Sequence, residues 1–176
     1  MLSFSFVFWI FIAVFTLIGA LRGWGKELLV TFSIILALFI IQVIQNHVPC
    51  VARVLASGDP RSQFLLWTLL ITTFALFGYH IPRIHKLAGS KLMSNDRVQD
   101  WLLGGVLGAF NGYLLVGTIW FYLDFAGYPF PEQMTAPQPG DAALKIVALL
   151  PPTWLGVPAI YFAVAVAFTF IVIVFI

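Results

Sequence analysis

The chain has 176 residues, of which 61% are hydrophobic and only 9% charged, and its formal net charge is +2. Ordinary soluble domains carry about 25% charged residues, so this much apolar surface requires a lipid bilayer as its solvent. The small, scattered charge excludes a nucleic-acid footprint, and a single cysteine excludes an intramolecular disulfide and a cysteine-rich metal cage. We expect an all-α integral membrane protein, a bundle of four core transmembrane helices followed by a fifth, C-terminal apolar helix.

The first apolar run, Leu2 to Leu21, contains no charge and is as long as a spanning helix requires. A cleaved signal peptide is the competing interpretation, because Gly19 and Ala20 mimic a small-residue cleavage site. The run is too long for a signal peptide, however, and has no positively charged leading region. The sequence therefore favours a retained membrane helix.

A short charged segment, Arg22 to Glu27, separates the first run from a second span, Leu28 to Ile44. One helix over both runs would be about 65 Å long, twice the hydrocarbon thickness, so the chain must turn at the glycines of this segment. Arg22 and Lys26 are four residues apart and suited to lipid phosphates or a nearby acid, while the helix dipole favours Glu27 at a helix start. A charged hairpin turn explains the segment, and a functional role for Arg22 or Glu27 is the alternative.

A polar loop, Gln45 to Gln63, follows. His47 and Cys50 lie in it three residues apart, but no further soft ligands are near, so the pair does not indicate a metal site. The third span, Phe64 to Tyr79, carries three threonines whose hydroxyls bond either another helix or, as we expect, their own helix carbonyls. These are Thr68, Thr72 and Thr73.

The most charged stretch of the chain is His80 to Asp100. Asp96 followed by Gln99 resembles a capping box, which predicts a helix start near Arg97. Asp96 and Asp100 share a face of that helix. We interpret them as a cap and a solvated first turn, since nothing else indicates paired acid-base catalysis.

The fourth span, Trp101 to Leu123, contains three glycines at intervals of four: Gly104, Gly108 and Gly112. Glycine costs roughly 1 kcal/mol in a helix relative to alanine, but in a bilayer such a strip lets a neighbouring backbone approach closely. Asn111 lies beside the strip and is the most strongly polar side chain of the span. The spacing predicts a tight packing seam, and the general abundance of glycine in membrane helices is the alternative explanation.

The remainder of the chain divides into two parts. Asp124 ends the fourth span, which completes a core of residues 1–125. Residues 126–157 form a proline-rich loop with a short interfacial or re-entrant helix, Ala142 to Leu150, which the following prolines stop. Residues 158–176 are the predicted fifth transmembrane helix.

Lysine and arginine positions indicate an orientation, because cytoplasmic loops are enriched in both. With the amino terminus outside, six basic residues are cytoplasmic: Arg22, Lys26, Arg83, Lys86, Lys91 and Arg97. Three are then outside: Arg53, Arg61 and Lys145. This bias favours an external amino terminus.

Two segments resemble one known family. Arg22-Gly23-Trp24-Gly25-Lys26-Glu27 resembles the Arg-Gly-aromatic-x-basic-Glu turn of the colicin V production protein family, and Gly104 to Gly112 resembles that family's glycine-rich last core helix, which here ends in Asp124. The resemblance covers residues 1 to about 125. Two positions depart from it, because Trp101 stands where the family usually has an arginine and Asn111 where it has a basic residue.

The resemblance implies a bacterial inner-membrane protein required for making or exporting the peptide toxin colicin V. The residues add that no ionisable side chain falls inside the predicted spans, unlike in ion-coupled carriers, and that no catalytic triad or metal cluster converges at one depth. We therefore predict a non-enzymatic protein without cofactor or metal, which acts through helix packing as a homo-oligomer or with a partner membrane protein. The alternative is a small oligomeric channel or transporter subunit with a pore lined by Thr68, Thr72 and Asn111.

Overall fold

The computed structural model describes residues 4–49, 58–80, 97–130, 132, 134, 136–138 and 141–175. In these ranges the chain is helical and has no strand. The helices are α1 (Phe4–Arg22), α2 (Trp24–His47), α3 (Pro60–His80), α4 (Arg97–Phe125), α5 (Ala142–Val147), α6 (Pro151–Trp154) and α7 (Ala159–Phe175). Several residues of the sequence-based predictions lie outside the described residues: Cys50, Arg53, Arg83, Lys86, Lys91 and the predicted cap Asp96.

Helices α1 to α4 are long and apolar enough to cross a membrane, with 19, 24, 21 and 29 residues. The predicted all-α fold with four core membrane helices is therefore confirmed, and the chain is a multi-pass membrane protein. Helix α7 is apolar as well but has only 17 residues. That it forms a fifth span stays a prediction.

The four core helices pack together around a common centre. Among the described helices, α1 and α4 share the most extensive contact and run antiparallel, and α2 packs against both α3 and α4. The large side chains that are fully buried at the centre come from α2, α3, α4 and α7: Ile34, Ile41, Ile71, Leu114 and Ile160. Lipid tails are as apolar as these side chains, so the hydrophobic effect does not drive membrane helices together, and close packing of this kind does so instead.

The segment after α4 folds back against the middle of that helix. Pro151 begins α6 instead of merely ending the preceding helix, since proline fits a first helical turn, where its missing N–H is not needed. A Cβ at Gly117 of α4 would lie 2.8 Å from Pro151 Cδ, so the two elements are in close contact. Tyr113 donates a hydrogen bond to the Leu149 carbonyl at 2.5 Å and accepts one from Trp154 Nε1 at 2.9 Å.

Candidate functional site at the turn between the first two helices

The turn between α1 and α2 consists of one residue, Gly23. Its φ of 84° lies in the left-handed region that glycine adopts without steric cost. A Cβ at this position would also come within 2.6 Å of Asp100 Oδ2. Any side chain is therefore excluded here both by the backbone conformation and by the neighbouring carboxylate.

Asp100 stabilises the start of α2 from a different helix. Its Oδ1 accepts a hydrogen bond from the backbone N–H of Trp24 at 3.0 Å, and this N–H is one of the donors that the first turn of a helix leaves unpaired. The sequence interpretation of Asp100 as a solvated residue in the first turn of its own helix is corrected by this contact. The physical reason is that α4 packs against the turn, which brings Asp100 close to Trp24.

The glycine strip of α4 packs against α1 of the same chain. A Cβ at Gly108 would meet the Phe15 carbonyl oxygen and would lie 2.9 Å from Gly19 Cα, and a Cβ at Gly104 would meet the Gly19 carbonyl oxygen. Gly112 continues the contact, because a Cβ there would lie 2.8 Å from the side chain of Phe15. The strip thus permits backbone-to-backbone approach, and its occupant is α1.

A buried polar cluster lies directly beside this seam. Glu27 has no solvent exposure. Its Oε1 pairs with Arg22 Nη1 at 2.6 Å, while Oε2 accepts from Asn111 Nδ2 at 2.9 Å and, at the longer distance of 3.5 Å, from the Tyr79 hydroxyl. Both carboxylate oxygens are therefore occupied.

The remaining contacts close the cluster. Asn111 Nδ2 also lies 3.0 Å from the Glu27 carbonyl oxygen, and Thr31 Oγ1 donates to Asn111 Oδ1 at 2.7 Å. Arg22, whose side chain is 20% exposed, donates to the Tyr79 carbonyl at 3.1 Å. Its guanidinium carbon lies 4.3 Å from the Tyr79 ring centroid, a distance typical of a cation–π contact.

Each of the four core helices contributes to this Glu27 cluster, which consists of Arg22 from α1, Glu27 and Thr31 from α2, Tyr79 from α3 and Asn111 from α4. A buried charge is costly in a membrane unless it is paired and hydrogen-bonded. Here the charged pair, Arg22 and Glu27, meets this requirement, because the two side chains bind each other and the three neutral side chains of the cluster bind them or one another. The cluster therefore fixes the relative positions of four helices at one end of the bundle.

The position of Glu27 corrects two sequence-based interpretations. We expected it at a charged hairpin turn before a span starting at Leu28, and we expected no ionisable side chain inside a span. Helix α2 instead begins at Trp24, and Asn111 of α4 covers the carboxylate. Glu27 is consequently an ionisable residue inside a membrane helix.

Other predicted positions lie away from the cluster. Asp124 is 13 residues beyond Asn111 on α4, about 20 Å along the helix axis. Trp101 is 53% exposed on the outside of the bundle, so the departure from the family pattern at this position adds no side chain to the cluster. The hydroxyl of Thr68 is buried and has no partner among the described residues, where a bond to its own helix was expected.

Three contributors to the site were missed from the sequence. Thr31 follows Glu27 by four residues and so shares its helix face, which is a readable signal. Gly19 was considered only as part of a cleavage site, although its spacing of four from Gly23 indicates a second strip. Tyr79 gives no sequence signal, because only the packing of α3 on α2 brings it to the cluster.

Comparison with known proteins identifies the family. The family model described as colicin V production protein matches residues 4–138, a range that includes the Glu27 cluster, the glycine seam and Asp100. No curated protein and no solved structure matches the chain. In the described part of the chain, no group of three His, Cys, Asp or Glu side chains is placed to hold a metal ion. The chain belongs to the colicin V production protein family.

Proposed function

We propose that this protein is a non-enzymatic component of the bacterial inner membrane that supports the production or export of colicin V. It does so as a scaffold, through helix packing with a second copy or with a partner membrane protein. The observation that carries the proposal is the closed Glu27 cluster, whose polar atoms bind one another across all four core helices of a colicin V family member.

The geometry of the cluster favours a scaffold over catalysis. A catalytic carboxylate must reach the proton that it transfers, whereas Glu27 has no exposure and both of its oxygens are bound within the protein. The glycine seam is likewise filled by α1. The surfaces we propose for a partner are the outer sides of the bundle, where apolar side chains are exposed on α1, α3 and α4.

A channel or transporter subunit remains the second candidate. Asn111 was one of its three predicted pore residues, with Thr68 and Thr72, but this side chain is completely buried and both ends of its amide are bound. A pore lined by Asn111 would require α2 and α4 to separate. The observation that favours this candidate is the buried hydroxyl of Thr68, which has no partner among the described residues and is suited to a polar ligand or an approaching water.

The scaffold proposal is tested in colicin V-producing cells that lack this protein. Expression of the wild-type chain should restore toxin activity in the medium, measured by growth inhibition of sensitive cells. Arg22→Gln should reduce the activity in proportion to the loss of folded protein in the membrane. Unchanged toxin activity with and without the protein would contradict the proposal, and ion flux through vesicles that contain the purified chain would support a channel instead.

A further inference from the structure

An apolar groove of about 250 Å³ lies between α3 and α7 and is floored by α2. Phe74 and Phe77 form one wall, Val164 and Ile171 belong to the other, and Leu29 and Leu36 lie along the floor. Ser33 is the one lining side chain with a hydroxyl, and this hydroxyl donates to the Leu29 carbonyl at 3.0 Å. The groove therefore offers no free hydrogen-bonding group to an occupant.

Leu29, the groove-lining residue nearest the start of α2, lies about one helical turn after the exposed Lys26. Lys26, Leu29 and Ser33 are spaced i, i+3 and i+7, so they share one face of α2. Lys26 is exposed, and among the described residues no carboxylate lies within ion-pair distance of it. Helical side chains lean toward the amino-terminal end of their helix, which directs the Lys26 ammonium toward the membrane surface at which α2 begins.

Two described carboxylates near the start of α2 are already engaged. Glu27 is neutralised by Arg22. Asp100 binds the backbone of Trp24, which lies two residues before Lys26 and so about 200° around the helix, on the opposite side of α2. Among the described residues, no carboxylate therefore pairs with the positive charge of Lys26 beside the groove.

We propose that this groove and Lys26 form a binding site for an anionic phospholipid, with an acyl chain in the groove and the phosphate headgroup at the lysine. An acyl chain has no polar groups to satisfy, which suits a groove whose one lining hydroxyl, Ser33 Oγ, is already bonded to the Leu29 carbonyl. Apolar contact alone cannot distinguish one lipid from another in a bilayer, so the charge at Lys26 provides the selectivity.

The experiment uses the full chain purified in detergent and measures retained lipid by native mass spectrometry. The probes are phosphatidylglycerol and phosphatidylcholine with identical acyl chains. The wild-type chain should retain phosphatidylglycerol preferentially. Lys26→Gln should reduce that preference about fivefold, which corresponds to about 1 kcal/mol for one basic residue near an anionic surface. Lys145→Gln, at another exposed lysine, should leave the preference unchanged.

A second pair of variants tests the groove itself. Val164→Phe fills the space and should lower retention of both lipids, whereas Val166→Phe, two residues along on the exposed side of α7, should not. If Val164→Phe loses its helical circular dichroism or its cooperative melting, Leu36→Phe replaces it, because Leu36 also lines the groove but is part-exposed.

Three results would overturn the assignment. The first is equal retention of both lipids by the wild-type chain, and the second is an undiminished preference in Lys26→Gln. The third is a wild-type dimer that the groove-filling variants convert to a monomer, because the occupant would then be a second copy of the chain.

Discussion

Asn111 Nδ2 donates a hydrogen bond to Glu27 Oε2 at 2.9 Å, across 84 residues of sequence. The bond joins the two segments by which this chain resembles its family, the Arg22–Glu27 turn and the glycine-rich helix. On the neighbouring face of α4, Gly104 and Gly108 bring that helix into backbone contact with α1. The seam and the polar cluster are thus parts of one arrangement.

The first prediction concerns the seam. Gly108→Leu places a side chain where the Phe15 carbonyl and Gly19 now lie, so we expect a loss of stability of at least the 1–3 kcal/mol typical of overpacking. Ala109→Leu, at a part-exposed neighbour, is the control and should cost less. Thermal unfolding in detergent measures both. Because α1 belongs to the same chain, the oligomer size should not change, and equal melting temperatures of the two variants would contradict the seam.

The second prediction is an asymmetry within the Arg22–Glu27 pair. Arg22→Gln leaves a carboxylate with no exposure, so it should cost about 3–5 kcal/mol, the typical result of breaking a buried pair. Glu27→Gln should cost less, because Arg22 is part-exposed and can turn toward water and because Asn111 can still bond an amide. Unfolding in detergent by added dodecyl sulfate measures these differences.

The double variant Arg22→Gln/Glu27→Gln supplies the check on that asymmetry. Residues in direct contact usually show interaction energies of about 0.5–3 kcal/mol, so the double variant should be more stable than the sum of the single losses predicts. Strict additivity, with equal single losses, would mean that the pair does not act as a unit.

The third prediction concerns the cap that Asp100 provides to α2. Asp100→Ala removes the acceptor of the Trp24 N–H, and the loss of such a cap typically costs about 0.5–2 kcal/mol. Asp100→Asn keeps an acceptor oxygen and should recover most of the stability. Glu132→Ala, at an exposed carboxylate outside the helices, is the control. A melting temperature of Asp100→Ala equal to that of the control would show that the cap contributes nothing.

The fourth prediction concerns the orientation. In a chain with Cys50→Ser, a cysteine at the exposed position Asp59 should react with a membrane-impermeant thiol reagent in cells whose outer barrier is permeabilised. A cysteine at Lys26 should react only after the inner membrane is opened. The reverse pattern would place the amino terminus in the cytoplasm.

The sequence predicted the four core helices and the existence of a seam, because apolar run length and glycine spacing are local properties. It did not identify the occupant of the seam, since Gly19 becomes meaningful only when α1 and α4 lie together. The roles of Asp100 and Glu27 were missed for the same reason. Each side chain was interpreted on its own helix, whereas its partner, Trp24 or Asn111, lies on another.

The pairing of α1 with α4 has a consequence for how the protein is made. The ribosome synthesises the helices in chain order. Helix α1 has only slight contact with α2, and its main partner, α4, begins at Arg97, 75 residues after α1 ends at Arg22 (97 − 22). At about 5–20 residues per second this delay lasts roughly 4–15 s. During that interval the face of α1 that contains Gly19 lacks its partner, α4. The α1–α4 seam therefore forms only after α4 has been synthesised, and chains truncated before α4 should be degraded faster than the full chain.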